Sequence, residues 1–282
     1  MQHKLGLIGY PLGHSLSPWI HGEFLKEAGL QGSYEKFEIP PDADFKKAIQ
    51  QLIDQQIIGF NITVPYKETI IPYLDEIDDK AKKMGAVNTV RIHAGKLTGY
   101  NTDGSGYVRS LETAYPDFAC NKTDKKLLLL GAGGAARGIY YALAEAGYVQ
   151  IDIANRTKQS AESIRQLSEK AQTKILSLPE AEVHAHAYDA IIQTTSVGME
   201  PNEDDTPIHL QHLKQGMIAS DIVYKPLETR FLREASLLGA RLHHGHTMLL
   251  YQAQLAFEIW TQTSVGADKL EQELKKILEG AS

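Results

Sequence analysis

An α/β fold in two domains is what this sequence predicts, and three observations carry it. The 282 residues are 43% hydrophobic and 23% charged, the balance of a globular chain with room for two cores. Strand-like apolar segments alternate with helical ones from Leu5 to Val64 and again from Leu127 onward, the pattern of sheets layered with helices. Finally, Leu127 to Gly138 reads Leu-Leu-Leu-Leu-Gly-Ala-Gly-Gly-Ala-Ala-Arg-Gly. Four leucines ended by glycine are too few for a buried helix and predict a strand covered on both faces, with a helix to follow.

That last stretch is also where chemistry first shows. Gly131 and Gly133 permit a tight turn and a close backbone approach to a pyrophosphate, and Ala136 stands third in a G-x-G-x-x-G/A pattern, where helix and strand pack closely. Free amides at the start of the helix would hold the anion. Ala135 to Ala146 reads as that helix, closed by Gly147, and Val149 to Ala154 as the next strand, which completes a βαβ unit. The expectation is a Rossmann-like, dinucleotide-binding domain. Such a domain usually carries an Asp or Glu at the tip of its second strand to bind the adenosine ribose. Here Asn155-Arg156-Thr157-Lys158 stands instead. With no carboxylate to repel a phosphate and two cations to pair with one, these residues favour NADP over NAD. Asn155 and Thr157 are equally suited to capping the next helix, and the two roles are compatible.

The formal net charge of −6 argues against a nucleic-acid or anionic-membrane footprint, both of which want concentrated basic surface. One cysteine, Cys120, excludes intramolecular disulfides and a cysteine-based metal cluster, and fits the cytoplasm. Met1-Gln2-His3-Lys4 runs straight into a strand without a basic-then-apolar leader, and there is no long apolar run, so neither export nor membrane insertion is expected. The eleven histidines show no repeated metal-ligand spacing. His184-x-His186 and His243-His244-x-His246 lack a carboxylate or cysteine at familiar spacing, so no metal site is expected.

Taken in order, Leu5 to Gly9 reads as a strand and Tyr10 to Pro18 as a turn-rich loop, followed by a helix from Trp19 to Ala28 with Ser17 as its cap, Pro18 in its first turn and Gly29 at its end. Ser15 and Ser17, beside a helix N-terminus, could bind a carboxylate, although capping alone explains Ser17 as well. Tyr34 to Ile39 (strand), Asp42 to Asp54 (helix) and Ile57 to Val64 (strand) continue the alternation. Asn61 and Thr63 share one face of that strand, and Lys67 follows its C-terminal end, where open α/β sheets place ligands. Glu68 to Lys83 should hold one or two helices broken near Pro72, and Gly85 to Ile92 with Lys96 to Tyr100 a hairpin turning at Ala94-Gly95. Asn88 lies in an apolar segment where its amide needs partners; Asp103, in Asn-Thr-Asp-Gly, is also ordinary helix-cap chemistry.

A helix from Gly106 to Tyr115 and a connector from Pro116 to Asp124 lead into the glycine-rich domain. Beyond Thr157 come a helix, a short strand near Ile175, a strand from Tyr188 to Thr194 with a polar loop to Pro201, and a strand from Met217 to Val223 running into Tyr224-Lys-Pro226. A helix from Thr229 to Leu238, a short strand from Ala240 to His243, and two closing helices, Gly245 to Gln262 and Ala267 to Leu278, complete the chain. The closing helices are expected to return to the first domain. The expected division is therefore 1–104 with 245–282, and 105–244.

Several of these segments together resemble the shikimate dehydrogenase family: Gly9-Tyr-Pro-Leu-Gly-His-Ser-Leu-Ser-Pro-Trp-Ile-His21, Asn61-Ile-Thr-Val-Pro-Tyr-Lys67, Gly85-Ala-Val-Asn-Thr89, Asn101-Thr-Asp-Gly104, Gly131-Ala-Gly-Gly-Ala135, Asn155-Arg-Thr157, Thr195-Ser-Val-Gly-Met199 and Asp221-Ile-Val-Tyr224. They occur in the family's order across nearly the whole chain. The resemblance implies reversible reduction of 3-dehydroshikimate to shikimate with NADPH in a cleft between two domains, in the route to chorismate and the aromatic amino acids. It implies that Ser15 and Ser17 bind the substrate carboxylate, that Thr63, Asn88, Asp103 and Gln252 bind its hydroxyls, that Tyr224 lies near substrate and nicotinamide, and that Lys67 and Asp103 form the catalytic pair. On the cofactor side it implies Gly131, Ala132, Gly133, Gly134, Ala135, Asn155, Arg156, Thr157, Lys158, Ile222 and Gly245. A monomer or homodimer acting on a small molecule is expected. A quinate/shikimate dehydrogenase of broader cofactor use and a non-catalytic NADP- or shikimate-binding regulator are the alternatives. Two positions depart from the family's pattern: Gly22, where asparagine is common, and Thr247, where Gly-x-Gly-Met-Leu becomes Gly245-His-Thr-Met-Leu249.

Overall fold

The computed structural model describes residues 2–13 and 15–280; His14, one of the histidines considered above, lies outside them. Contacts divide the chain into two compact units, Met1–Thr102 with Gln252–Leu270, and Asp103–Tyr251 with Glu271–Ser282. Of the returning segment expected at 245–282, the stretch Gln252–Leu270 groups with the first unit and the rest with the second.

The first unit runs β1 (His3–Gly9), α1 (Ser17–Glu27), β2 (Gly32–Glu38), α2 (Phe45–Asp54), β3 (Gly59–Ile62), β4 (Glu76–Ile77), α3 (Asp79–Met84), β5 (Thr89–His93) and β6 (Lys96–Tyr100). Its sheet has the order β2-β1-β3-β5-β6-β4, parallel through β1, β2 and β3 and antiparallel through β3, β5 and β6. Ala94 and Gly95 both take positive φ (50° and 78°), as a two-residue hairpin turn requires. One face of the sheet buries Phe60, Ile62, Val90 and Leu97 against Ile49 and Leu52 of α2. An aromatic group of His21, Phe24, Tyr34, Phe257 and Trp260 forms a second layer, in which Trp260 Nε1 donates to Val90 O at 2.9 Å. Gly59 is necessary beneath that indole, since a Cβ there would lie 2.2 Å from Trp260 Cδ1.

The expected cap of α1 is corrected. Ser17 is the first helical residue, Leu16 occupies the cap position, and no side chain caps the helix. Ser15 Oγ instead accepts the Ser17 amide at 3.3 Å, a local turn that competes with capping. The region around Pro72 holds a single 3₁₀ turn, Ile71–Tyr73, followed by the two-residue β4, which sequence pattern does not announce.

The second unit runs α4 (Asp103–Ala114), α5 (Pro116–Ala119), β7 (Lys126–Leu130), α6 (Gly134–Glu145), β8 (Gln150–Ala154), α7 (Lys158–Arg165), β9 (Ile175–Leu176), α8 (Leu178–His184), β10 (Ala190–Gln193), β11 (Ile218–Asp221), α9 (Arg230–Leu237) and β12 (Arg241–His243). Two further helices, α10 (Gly245–Thr261) and α11 (Asp268–Leu278), have residues in both units. The six strands are all parallel in the order β12-β11-β10-β7-β8-β9, the doubly wound arrangement, with its switch point between β7 and β10. The four leucines behave as a strand buried on both faces must. Leu127 and Leu129 enter one core with Ile139 and Leu143 of α6, while Leu128 and Leu130 enter the other with Phe231 and Leu232 of α9, all fully enclosed.

Candidate active site

In the first unit Thr63 and Lys67 follow β3, and Thr63 lies beside the end of β1. Gly9 closes β1, and a Cβ there would lie 2.4 Å from Thr63 Cγ2, so glycine is what lets Thr63 approach the loop. Thr63 and Lys67 are both partly buried. The backbone of Lys67 is held by Val87 N–H, which donates to Lys67 O at 2.8 Å, while the neighbouring Tyr66 is buried with its hydroxyl on Ile39 O.

Behind these groups runs a polar chain within the sheet. Ser17 is hydrogen-bonded to the Tyr34 hydroxyl, which in turn donates to Asn61 Oδ1 at 2.8 Å. Asn61 Nδ2 donates to Thr89 Oγ1 (3.1 Å) and Asn88 O (3.2 Å), and the Thr89 hydroxyl donates to Asn88 Oδ1 at 2.9 Å. Asn88 completes the chain with the Thr102 amide at 2.8 Å and the Thr102 hydroxyl at 2.9 Å. Two candidate substrate contacts, Ser17 and Asn88, are thus ends of one network, and the buried Asn88 amide has the partners it needs. His21, fully enclosed, must donate from Nε2 to Asn61 Oδ1 (3.2 Å), because that oxygen can only accept. Burial lowers its pKa to about 3, so it is a neutral fixture of the network. Tyr34, Thr89, Thr102 and His21 were not anticipated as part of the site; the polar residues interrupting apolar strands at Asn61, Asn88 and Thr89 were the available signal.

In the second unit Asp103 opens α4, partly buried, where a carboxylate is favoured by the helix N-terminus. The helix itself is pressed on α6: a Cβ at Gly104 would lie 2.1 Å from Gly138 O and 2.9 Å from Ala142 Cβ. Gly131, at φ 109°, brings the end of β7 against the loop after β10, where a Cβ would lie 2.5 Å from Thr195 Cγ2. That loop is shaped by the buried Gln193, whose Nε2 donates to Val197 O at 2.9 Å, a role sequence reading missed.

Gly133 and Gly134 are exposed with nothing within 4 Å of a Cβ built on either, Gly133 is the N-cap, and no side chain caps α6. The amides at this helix start are therefore open to an anion, with Ala132 and Ala135 partly buried beside them and Ala136 enclosed in the core. At the tip of β8, Arg156, Thr157 and Lys158 are exposed. Thr157 occupies the cap position of α7 without a side-chain cap bond, and Asn155 Nδ2 donates to Thr157 O at 2.9 Å. An open amide cradle and a basic tip without a carboxylate fit a dinucleotide carrying an extra phosphate. The segment after β11 is tied by Asp221, which accepts from Val223 N–H (2.9 Å) and the Thr229 hydroxyl (2.6 Å) and whose pKa burial raises to about 7. Ile222 and Tyr224 follow, both partly buried. Gly245 presses on that segment, where a Cβ would lie 2.4 Å from Ile222 O and 2.6 Å from Val223 O.

Of the residues expected on the substrate side, Ser15, Ser17, Thr63, Lys67, Asn88 and Gln252 group in the first unit, and Asp103 and Tyr224 in the second. All the expected cofactor residues lie in the second. Among the described residues there is no group of His, Cys, Asp and Glu side chains arranged to hold a metal ion, and no helix long and apolar enough to cross a membrane.

The strand order and the open glycine turn define a two-unit α/β protein with a dinucleotide-binding domain. Comparison with known proteins is more specific. The substrate-binding-domain model of shikimate dehydrogenases matches residues 7–90, a shikimate/quinate 5-dehydrogenase model residues 113–223, and a shikimate 5′-dehydrogenase C-terminal-domain model residues 245–275. A curated relative, the NADP(+) shikimate dehydrogenase of Oceanobacillus iheyensis, is 52% identical over 99% of this chain and 100% of its own. Shikimate 5-dehydrogenase from Thermus thermophilus, solved with NADP(H) and shikimate, superposes with TM-score 0.83 at 32% identity over 99% of this chain and 100% of that one. Quinate dehydrogenase from Corynebacterium glutamicum, solved with NAD, gives 0.86 at 29% identity over 96% and 98%. The chain belongs to the shikimate dehydrogenase family.

Proposed function

We propose that this protein is an NADP-dependent oxidoreductase that interconverts 3-dehydroshikimate and shikimate. The observation that carries this reading is a relative named NADP(+) shikimate dehydrogenase that is 52% identical over 99% of the chain. The expected division of labour gives substrate binding to 1–104 with 245–282 and cofactor binding to 105–244. Bound NADPH supplies the hydride. Gly131 to Ala135 would hold the pyrophosphate on open amides, and Arg156 with Lys158, aided by Asn155 and Thr157, the ribose phosphate. Ile222 and Gly245 lie on the segment assigned to the nicotinamide side. Ser15 and Ser17 anchor the substrate carboxylate, Thr63, Asn88 and Gln252 its hydroxyls, and Tyr224 orients the ring. As the carbonyl is reduced, negative charge grows on its oxygen; the Lys67 ammonium stabilises that charge and gives up its proton to it. Asp103 accepts a hydrogen bond from the reacting hydroxyl and orients Lys67.

The test is loss of NADPH absorbance on mixing with 3-dehydroshikimate. Turnover is expected; saturable NADPH binding without turnover would make the protein a binding regulator instead. The structural neighbour acting on quinate with NAD keeps one rival, so the assay is repeated with quinate and with NAD. The basic, carboxylate-free tip of β8 supports NADP, and activity that prefers NAD would overturn that part. A cytoplasmic monomer or homodimer completes the proposal, the latter part checked by sedimentation.

A further inference from the structure

A second buried polar cluster, in the second unit, touches neither the glycine turn nor the basic tip. Its centre is His243, 2% exposed, at the end of β12. Ser110 of α4 and Thr247 of α10 lie 3.1 and 3.0 Å from His243 Nε2, and Ser220 of β11 lies 2.8 Å from Nδ1. Proton counting assigns every bond. Ser110 spends its one hydroxyl proton on Tyr107 O (2.8 Å) and Thr247 spends its own on His244 O (2.8 Å), so Nε2 carries the hydrogen and the two oxygens share it as a bifurcated bond. Nδ1 is then the acceptor and Ser220 donates to it, while the Tyr107 hydroxyl donates to Ser220 at 2.8 Å. This arrangement needs a neutral imidazole, and burial supplies one, holding the His243 pKa down to about 3.

The cluster joins the segments that carry the proposed site in this unit. Tyr107 stands one helical turn after Asp103 on α4, Ser220 immediately precedes Asp221 on β11, and Thr247 is two residues beyond Gly245, whose backbone presses on Ile222 and Val223. Thr247 is also where this chain departs from the glycine common in the family. Its side chain is 5% exposed, and its hydroxyl is taken up inside the fold.

We infer that His243 and Thr247 are positioning residues that pin the start of α10 against the Ile222–Tyr224 segment and so set the seat for the nicotinamide end of the cofactor. The inference rests on the proposed NADPH reading. The Thr247 hydroxyl does in this chain, by a bond to His243, what a bare glycine at the helix start cannot do. His243 touches neither cofactor nor substrate and acts through the backbone it holds.

The test uses the full chain with Thr247→Val, which keeps the shape and removes the hydroxyl, Thr247→Ser, which keeps the hydroxyl, and Thr247→Gly. NADPH binding is measured directly by the fluorescence of the bound nucleotide, beside steady-state kinetics and thermal midpoints. Losing one buried hydrogen bond should raise the NADPH dissociation constant and KM roughly five- to tenfold in the Val and Gly variants, with the KM for 3-dehydroshikimate little changed and Ser close to the parent. Should the Val variant fail to fold, the Gly and Ser variants decide alone. A lower thermal midpoint with unchanged NADPH binding overturns the inference and leaves the cluster a purely structural one, as does a Ser variant as weak as Gly. Parent protein that binds NADPH but turns over no 3-dehydroshikimate would instead count against the proposed reaction, leaving the binding comparison to judge the cluster.

Discussion

Removing a solvated lysine and removing a proton donor leave different kinetic traces. If Lys67 donates the proton while Ser15, Ser17 and Gln252 hold the substrate, Lys67→Ala should lower kcat by about 100- to 10,000-fold and leave KM comparatively unchanged. Lys67→Arg should not restore it, because guanidinium keeps the charge and does not release its proton. A defect that vanishes at saturating substrate would return Lys67 to the role of a rim charge that steers ligands. Arg156 stands exposed at the tip of β8, so Arg156→Ala should weaken binding of NADP far more than of NAD, the lost contact being one that only the ribose phosphate can make. Equal losses, read by titration with each nucleotide, would sink the assignment.

At the level of elements, α4 and α6 meet at their backbones, since a Cβ at Gly104 would lie 2.1 Å from Gly138 O. Gly104→Ala must push them apart, and overpacking of this kind costs about 1–3 kcal/mol. We expect a correspondingly lower urea midpoint together with a fall in kcat, because Asp103 begins the helix that moves. Unchanged stability would mean that the helices separate freely and that the close approach is incidental. Helix α8 starts on a purely local signal. Ser177 and Glu180 form a full capping box around Pro179, so the start of this helix is written in Ser177-Leu-Pro-Glu180. Sequence reading passed over it because its seven residues are too short to show a helical period.

For the whole molecule the enclosed histidines determine behaviour in acid. His21 in the first unit, with pKa about 3, and His243 and His246 in the second, with values of about 3 and 4, stay neutral where the unfolded chain, at 6.5, takes up protons. Their contribution is fully present above pH 6.5 and is lost as pH falls toward 3. Each costs about 1.4 kcal/mol per pH unit in that window. Asp221, raised to about 7, runs the other way with one proton, since protonation favours its folded form as pH falls. The histidines prevail, and urea unfolding should show stability dropping between pH 6.5 and 5. His243→Gln should flatten that slope by about 1.4 kcal/mol per pH unit; an unchanged slope would show that the ring charges without penalty.

The glycine turn of the second domain and the strands on either side of it were legible, because their signals are local. Four leucines before a glycine turn and a basic tip on the next strand each depend on neighbours a few positions away, and the twofold burial of Leu127 to Leu130 is what such a run predicts. The same locality disclosed the hairpin at Ala94-Gly95 and the lysine after β3. Other features were decided only by the tertiary structure. By helix propensity Gly104 and Gly106 argue against a helix before position 106, yet α4 begins at Asp103, and Gly104 allows its backbone onto Gly138 of α6, 34 residues away. Ser17 looked like a cap from its neighbours and lies instead inside the helix, bonded to Tyr34. The two polar networks join residues as distant as Ser17 and Thr102, or Ser110 and His243. Hydrogen bonds of that span leave no periodicity or spacing in a single sequence; they exist because buried polar groups must find partners, and only the folded chain determines which ones are within reach.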